Sequence, residues 1–309
     1  MPRIDPPIGM LRTVWKIFVD AFMSFIGHEP FRLAAALSYY SLLSMAPLLL
    51  IVIGTAGFFF GEGVVRDELV DQVRALTGAE GAALVRTVIE NAERLEQDVV
   101  SILLGGGLML FGATTVFAQL QGALNQVWHV KAAPENALLG FLRHRLLSFA
   151  LILSLGFLLM VSLIASAILA ALQGYLDTLG FATLGWWRFV NVLVSFAFGT
   201  LLIAMIFKYL PDALIGWPNV WLGALITSLL LLAGRYLIGL YLGQASIGSV
   251  FGAAGSVVVF MVWIYYAALI FFFGAELTRT VARYRGQRID PSDHGRPDDN
   301  GAADGSECR

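Results

Sequence analysis

One arginine stands alone in an apolar run: Arg235, in LLLLAGRYLIGLYL. A charge in hydrocarbon costs about 2.5–3.5 kcal/mol on insertion scales. Arg235 therefore marks a bundle-facing site for an anionic ligand or a carboxylate partner, or else it snorkels toward the nearer interface. Glu276, with Arg279 one turn on, reads as an i,i+3 pair at a helix end or as a gate or proton site. Thr114, Thr115, Gln119, Gln121 and Asn125 form one polar group, in which Gln121 and Asn125 share a helical face. Ser38, Tyr39, Tyr40, Ser41 and Ser44 form another, followed by Pro47. Polar groups in such surroundings act as glue between helices or line a wet pathway, and both readings stand. The histidines, His28, His129, His144 and His294, fall at the edges of apolar runs or in the tail, with no HxxxH or HExxH pair. The single cysteine, Cys308, excludes a disulfide framework and a cysteine-based zinc site. There is no phosphate-binding Gly-Lys-Ser/Thr loop, no metal or cofactor is expected, and without converging titratable groups the chain is not read as an enzyme.

The elements that position these residues follow from composition. Of 309 residues, 58% are hydrophobic and 14% charged, with mean hydropathy +0.76, which excludes a soluble or a disordered chain. The hydrocarbon core needs roughly 20 apolar residues per helical crossing. Six segments qualify: about Leu33–Phe60, Val99–Leu120, Leu146–Leu172, Phe189–Leu210, Val220–Leu242 and Ser249–Leu277. Backbone groups in lipid must be satisfied within the segment, so each is read as a helix. Pro47 removes a backbone donor and predicts a kink in the first span, with Ser44 able to bond a freed carbonyl. Before it, Leu11, Val14, Trp15, Phe18, Phe22, Phe25 and Ile26 recur at helical spacing opposite Arg12, Lys16 and Asp20, the pattern of an interfacial amphipathic helix. Trp128, Trp186, Trp187, Trp217 and Trp221 fall at span ends and read as interface anchors, whereas Trp263 is mid-span and reads as packing.

Positive residues cluster on the side of the termini. Arg3, Arg12, Lys16 and Arg32 precede or open span one, Lys131, Arg143 and Arg145 lie between spans two and three, Lys208 ends span four, and six arginines follow span six. The other side carries Arg66, Arg74, Arg86, Arg94 and Arg188. This bias places both termini in the cytoplasm. The acidic loop 62–98 is then extracytoplasmic, and its two apolar stripes, separated at Gly78, predict a hairpin of short amphipathic helices. Its acids are a solvated face or a cation vestibule. The fold class is all-α: a polytopic membrane protein of six transmembrane helices, with an N-terminal cytoplasmic segment (1–29) that holds the interfacial amphipathic helix Leu11–Ile26, and an extracytoplasmic hairpin (62–98) within a membrane domain over 30–285. Residues 286–309, rich in Gly, Pro and Asp, read as a disordered cytoplasmic tail.

Four stretches carry a family resemblance: AAALSYYSLLSMAPLLLIVIGTAGFFFG (34–61), GATTVFAQLQGALNQVW (112–128), RLLSFALILSLGFLLMVSL (145–163) and FGAAGSVVVFMVWIYYAALIFFFGAELTR (251–279). In this order they resemble the YihY/virulence factor BrkB family, also labelled ribonuclease BN-like, over about residues 30–285. The resemblance implies a six-span bacterial inner-membrane protein, with some relatives linked to export or tolerance of envelope lipids. It carries no site residues onto this chain. The ribonuclease label does not fit a chain with no catalytic His/Asp/Glu cluster and no cytosolic domain to hold RNA.

The expectation is a transporter or lipid-handling protein of the cell envelope acting on an anionic amphiphile. Arg235 would meet the anionic group, and Tyr39, Ser44, Gln119, Gln121, Asn125 and Glu276 would line the route. The alternative is an envelope structural or assembly factor docking partners through the hairpin. The lipid bilayer is the partner expected in either case. Nucleic acid is not, given a net charge of −2, and a homo-oligomer is compatible with both.

Overall fold

The computed structural model describes residues 7–93, 115–132, 186–244, 254–287, 290–292 and 295–297. Most of the expected second span and all of the third lie outside them. The described residues are mostly helical, with α1 over Pro7–Gly27, α2 over Pro30–Phe60, α3 over Glu62–Glu93 and α4 over residues 115–128. Strand β1 (Val130–Ala132) follows, then α5 (Trp186–Tyr209), β2 (Ala213–Leu214), α6 (Trp217–Gln244), α7 (Gly255–Tyr284), β3 (Asp290–Pro291) and β4 (Gly295–Pro297).

Three described stretches are long and apolar enough to cross a membrane: Val192–Tyr209, Trp217–Arg235 and Gly255–Tyr284. Helix α2 makes a fourth if its halves, Pro30–Ala46 and Leu48–Phe58, are one span. The halves meet at 48°, and the break falls at Pro47, a residue with no backbone N–H to donate to the carbonyl one turn back. In α3 the backbone leaves helical geometry at Gly78 (φ 80°, ψ −169°), a conformation that glycine adopts without steric cost. Val65 and Val70 before it and Ala82, Val85 and Ile89 after it are buried in one cluster with Met45, Ile53 and Ala56 of α2 and Phe260 of α7.

Helix α7 is the centre of the described bundle, packing against α1, α2, α3 and α6. Helix α1 lies on it through Phe18 and Phe25, whose rings meet Phe273 edge-on at 5.5 Å. Val14, Trp15, Val19, Phe22, Met23 and Ile26 of the same helix are exposed. An apolar stripe of this size is a liability in water and suits lipid.

Two details differ from the expectation. Trp128, read as an interface anchor, is 2% exposed, packed with Phe207, Leu210, Ile215 and Val220. Pieces of the tail read as disordered are paired: Val130–Ala132 with Gly295–Pro297, and Ala213–Leu214 with Asp290–Pro291, both antiparallel. Ser292 N–H also donates to the Asp212 carbonyl at 2.9 Å. Composition registers the scarcity of apolar side chains there, but these pairings use backbone groups that every non-proline residue carries.

Helices α6 and α7 meet through two reciprocal glycine–threonine contacts. Thr227 donates to the Gly223 carbonyl and Thr278 to the Gly274 carbonyl, both at 2.7 Å, so neither hydroxyl needs water. Each threonine then fills the space over the other helix's glycine. A Cβ added at Gly223 would lie 1.6 Å from Thr278 Oγ1, and one at Gly274 would lie 1.8 Å from Thr227 Oγ1. Small residues bring helix backbones close where lipid supplies no hydrophobic drive. We expect Gly223→Leu or Gly274→Leu to cost about 1–3 kcal/mol by overpacking, read as a lower melting temperature in detergent. Gly223→Ala should also melt lower, pairing it with Thr278→Gly should recover part of that loss, and equal melting of Gly223→Ala and the double variant would refute the reciprocal fit.

Candidate functional site

A cavity of about 660 Å³ lies between α2, α4, α5, α6 and α7. Its walls are apolar, built from Leu37 of α2, Phe117 and Leu120 of α4, Ile203 and Ile206 of α5, Leu231 of α6 and Phe271 of α7, among others. Arg235 is the one charge among the described lining residues, and the remaining polar groups are Ser41, Ser228, Trp263 and Tyr266. Arg235 is exposed at its edge, and no hydrogen bond or ion pair of its guanidinium occurs among the described residues. Ser228 is 7% exposed and its Oγ has no hydrogen-bond partner there. A buried polar atom normally has one, so this hydroxyl is available to a bound molecule. Gly234 lets the ring of Tyr266 approach, since a Cβ there would sit 2.6 Å from the ring edge. Eighteen residues of helix separate Trp217 from Arg235, about 27 Å at 1.5 Å per residue. The guanidinium therefore lies toward the end of α6 opposite the loop 210–216.

A second polar centre occupies that loop end. Asp212, 9% exposed, accepts from Asn125 Nδ2 at 2.8 Å and from Gln121 Nε2 at 3.2 Å, while its own N–H donates to Asn125 Oδ1 at 2.8 Å. Lys208 Nζ donates to the Ile215 carbonyl, closing the turn between α5 and α6. Beside it, Glu276 is fully buried and paired twice, to Arg279 Nη1 at 3.1 Å and to His28 Nδ1 at 3.3 Å. The other ring nitrogen of His28 lies 3.0 Å from His129 Nε2, with the two rings at 78°. Gln126 Nε2 donates to the His28 carbonyl at 3.2 Å.

The residues singled out in the sequence thus do not form one site. Arg235 lies on the cavity. Gln121 and Asn125 are held by Asp212, and Glu276 by His28 and Arg279. Ser44 is buried, Gln119 is half-buried, and neither lines the cavity, where Ser41 of the same polar group does. Tyr39 is 52% exposed and meets Tyr40 edge-on at 5.6 Å. Asp212, His28, His129 and Ser228 were not picked out. A signal existed for the histidines: both fall at the edges of apolar runs in the sequence. No signal existed for Asp212, whose partners lie 87 and 91 residues away. Among the described residues no group of three or more His, Cys, Asp or Glu side chains is placed to hold a metal ion.

The sequence model of the family described as Virulence factor BrkB matches residues 21–298. Among curated proteins, a UPF0761 membrane protein of Azotobacter vinelandii is 27% identical over 288 residues, covering 90% of this chain and 65% of its own. One of Xanthomonas oryzae pv. oryzae is 25% identical over 284 residues, 89% of this chain and 61% of its own. Another of Rhodospirillum centenum is 27% identical over 298 residues, 93% and 60%. The chain therefore spans less than two thirds of the length of these relatives. No solved structure matches it.

Proposed function

Since the chain belongs to the Virulence factor BrkB family and is a membrane protein, we propose that it is a transporter or lipid-handling protein of the bacterial inner membrane that takes up an anionic amphiphile. The observation that carries this reading is the apolar cavity with one guanidinium at its edge and one buried hydroxyl in its wall, neither with a hydrogen-bond partner among the described residues. Acyl chains match walls of Leu, Ile and Phe. An anionic headgroup satisfies Arg235, which as a guanidinium binds phosphate or carboxylate through two parallel hydrogen bonds. Ser228, seven residues earlier and about 10 Å along α6 at helical rise, gives a second polar contact in the cavity wall. With both termini cytoplasmic, α6 enters from the cytoplasm at Trp217, so Arg235 takes the headgroup near the outer leaflet and the chains run inward. The six-span topology and the hairpin belong to the same proposal, with the hairpin covering the outer end of the bundle.

The test is native mass spectrometry of protein released gently from native lipid, wild type beside Arg235→Leu and Arg235→Lys. Wild type should carry a discrete anionic lipid or metabolite that Arg235→Leu loses, with Arg235→Lys intermediate. A hydrogen bond to a charged group contributes about 1.5–3 kcal/mol, so affinity should fall about 10- to 100-fold in Arg235→Leu. Equal, non-selective lipid in wild type and Arg235→Leu would sink the site and favour docking through the 62–98 segment.

A further inference from the structure

The polar centre around Glu276 has a geometry that the cavity does not explain. Two ring nitrogens 3.0 Å apart form a hydrogen bond only when a single hydrogen lies between them. His28 Nδ1 lies 3.3 Å from Glu276 Oε2, a charge contact outside hydrogen-bond geometry, and a proton placed on Nδ1 toward that carboxylate leaves His28 Nε2 as the nitrogen in the gap. With both rings neutral, His129 Nε2–H donates to His28. One added proton leaves the gap bond intact: either His129 carries it and still donates, or His28 carries it and donates to His129. The two forms interconvert when the gap proton moves from one Nε2 to the other. A second added proton puts hydrogens on both gap nitrogens and two positive charges at contact, and the pair opens. Glu276 and His129 engage opposite edges of the His28 ring, an arrangement that hands a proton along rather than chelating one ion.

The backbone marks the same place. The non-glycine residues with positive φ among the described residues are Glu29, at 51°, and His129, at 53°. One adjoins His28 and the other is its partner. Non-glycine residues are seldom found in this region, and where they occur they cluster at sites whose surroundings hold them. The charged groups on the elements that meet here are Glu276, Arg279 and Arg283 on α7, Asp20 on α1 (bonded to Tyr284), the exposed Glu29–Arg32 pair opening α2, Lys208 in the last turn of α5, Asp212 in the loop after it (bonded to Asn125 of α4), and Lys131 on β1 with Arg296 in register opposite. Helix α4 presents no charge there, only Gln119, Gln121, Asn125 and Gln126.

We propose that His28 and His129, braced by Glu276 and Arg279, form a proton-binding site that couples protonation at this face of the bundle to the width of the cavity. The coupling half rests on the function proposed above. His28 sits where α1 turns into α2, and His129 ends α4. Both α2 (Leu37, Ser41) and α4 (Phe117, Leu120) are cavity walls. Leu37 lies nine residues beyond His28, about 13 Å along the chain at helical rise. Opening the imidazole pair draws the start of α2 from the end of α4, and the cavity between them widens. A gradient of protons across the membrane then becomes the source of work, with no nucleotide site required.

The test uses the full chain, Cys308→Ser, in phosphatidylcholine nanodiscs. Spin labels at the exposed positions of Arg32→Cys and Lys131→Cys report the α2–α4 separation at about pH 8 and about pH 5, the range over which imidazoles change charge. A pyrene-tagged phosphatidylglycerol, whose phosphodiester stays ionised throughout, reports cavity binding. The separation should grow by about 2 Å or more in acid, the scale of a helix shift, and probe affinity should change at least about fivefold. Both changes should vanish in His28→Gln and in His129→Gln, each checked for unaltered melting at about pH 8. A separation that ignores pH in wild type overturns the proton site, as does a stoichiometric bound metal lost with His28→Gln. If the separation responds and the probe binds at neither pH, the cavity reading fails and the proton site stands.

Discussion

Glu276→Leu should lower the stability of the folded chain by about 3–5 kcal/mol, the range for removing one member of a buried ion pair. The carboxylate is fully buried, and its oxygens serve Arg279 and His28. Leucine fills similar space but removes the carboxylate from the Arg279 guanidinium, which keeps Ser24 Oγ at 3.5 Å, and from the His28 ring. Most of the loss belongs to these abandoned partners rather than to the missing contact. Glu276→Gln keeps one acceptor and should lose less. Adding Arg279→Met to Glu276→Leu should restore part of the stability, because the stranded charge is then gone. Thermal unfolding in detergent of the three variants reads the effect. A wild-type melting temperature for Glu276→Leu would mean that the pair is neutral to folding.

Asp212→Ala should be of comparable size. Its carboxylate accepts from Asn125 and Gln121, and hydrogen bonds to a charged acceptor contribute about 1.5–3 kcal/mol each. The pair holds the loop between α5 and α6 against α4, and the same loop carries β2 and the Ser292 contact. Asn125→Ala should cost less than Asp212→Ala, since the carboxylate retains Gln121. The combined variant should fall short of the sum of the two, because both remove one shared contact. Strict additivity would show that the 2.8 Å contact does not couple the residues.

These effects lie largely beyond the reach of sequence reading. Hydropathy placed the segments now seen as α2, α5, α6 and α7, because the demands of lipid are local and a run of twenty apolar residues states them. Pro47 announced the bend in α2 and Gly78 the break in α3, since both act through their own backbone. The Glu276–Arg279 contact was legible because a helix brings i and i+3 together whatever surrounds it. Arg235 was conspicuous as a charge among leucines, but nothing local told that α2, α4, α5 and α7 leave an apolar cavity against it.

The amino-acid sequence by itself determined that the chain lives in a membrane, which stretches suit crossing, and where its helices bend, because each of these depends on residues within a few turns. The tertiary structure alone decided that Gln121 and Asn125 bond Asp212, and that Ser41 rather than Tyr39 or Ser44 meets the cavity. It also decided that His28, 101 residues from His129, meets it ring nitrogen to ring nitrogen at 3.0 Å. The reason is physical. Hydrophobicity and backbone preference are properties of a segment. A polar group's role in a low-dielectric interior is set by the partner that reaches it, and that partner comes from another helix.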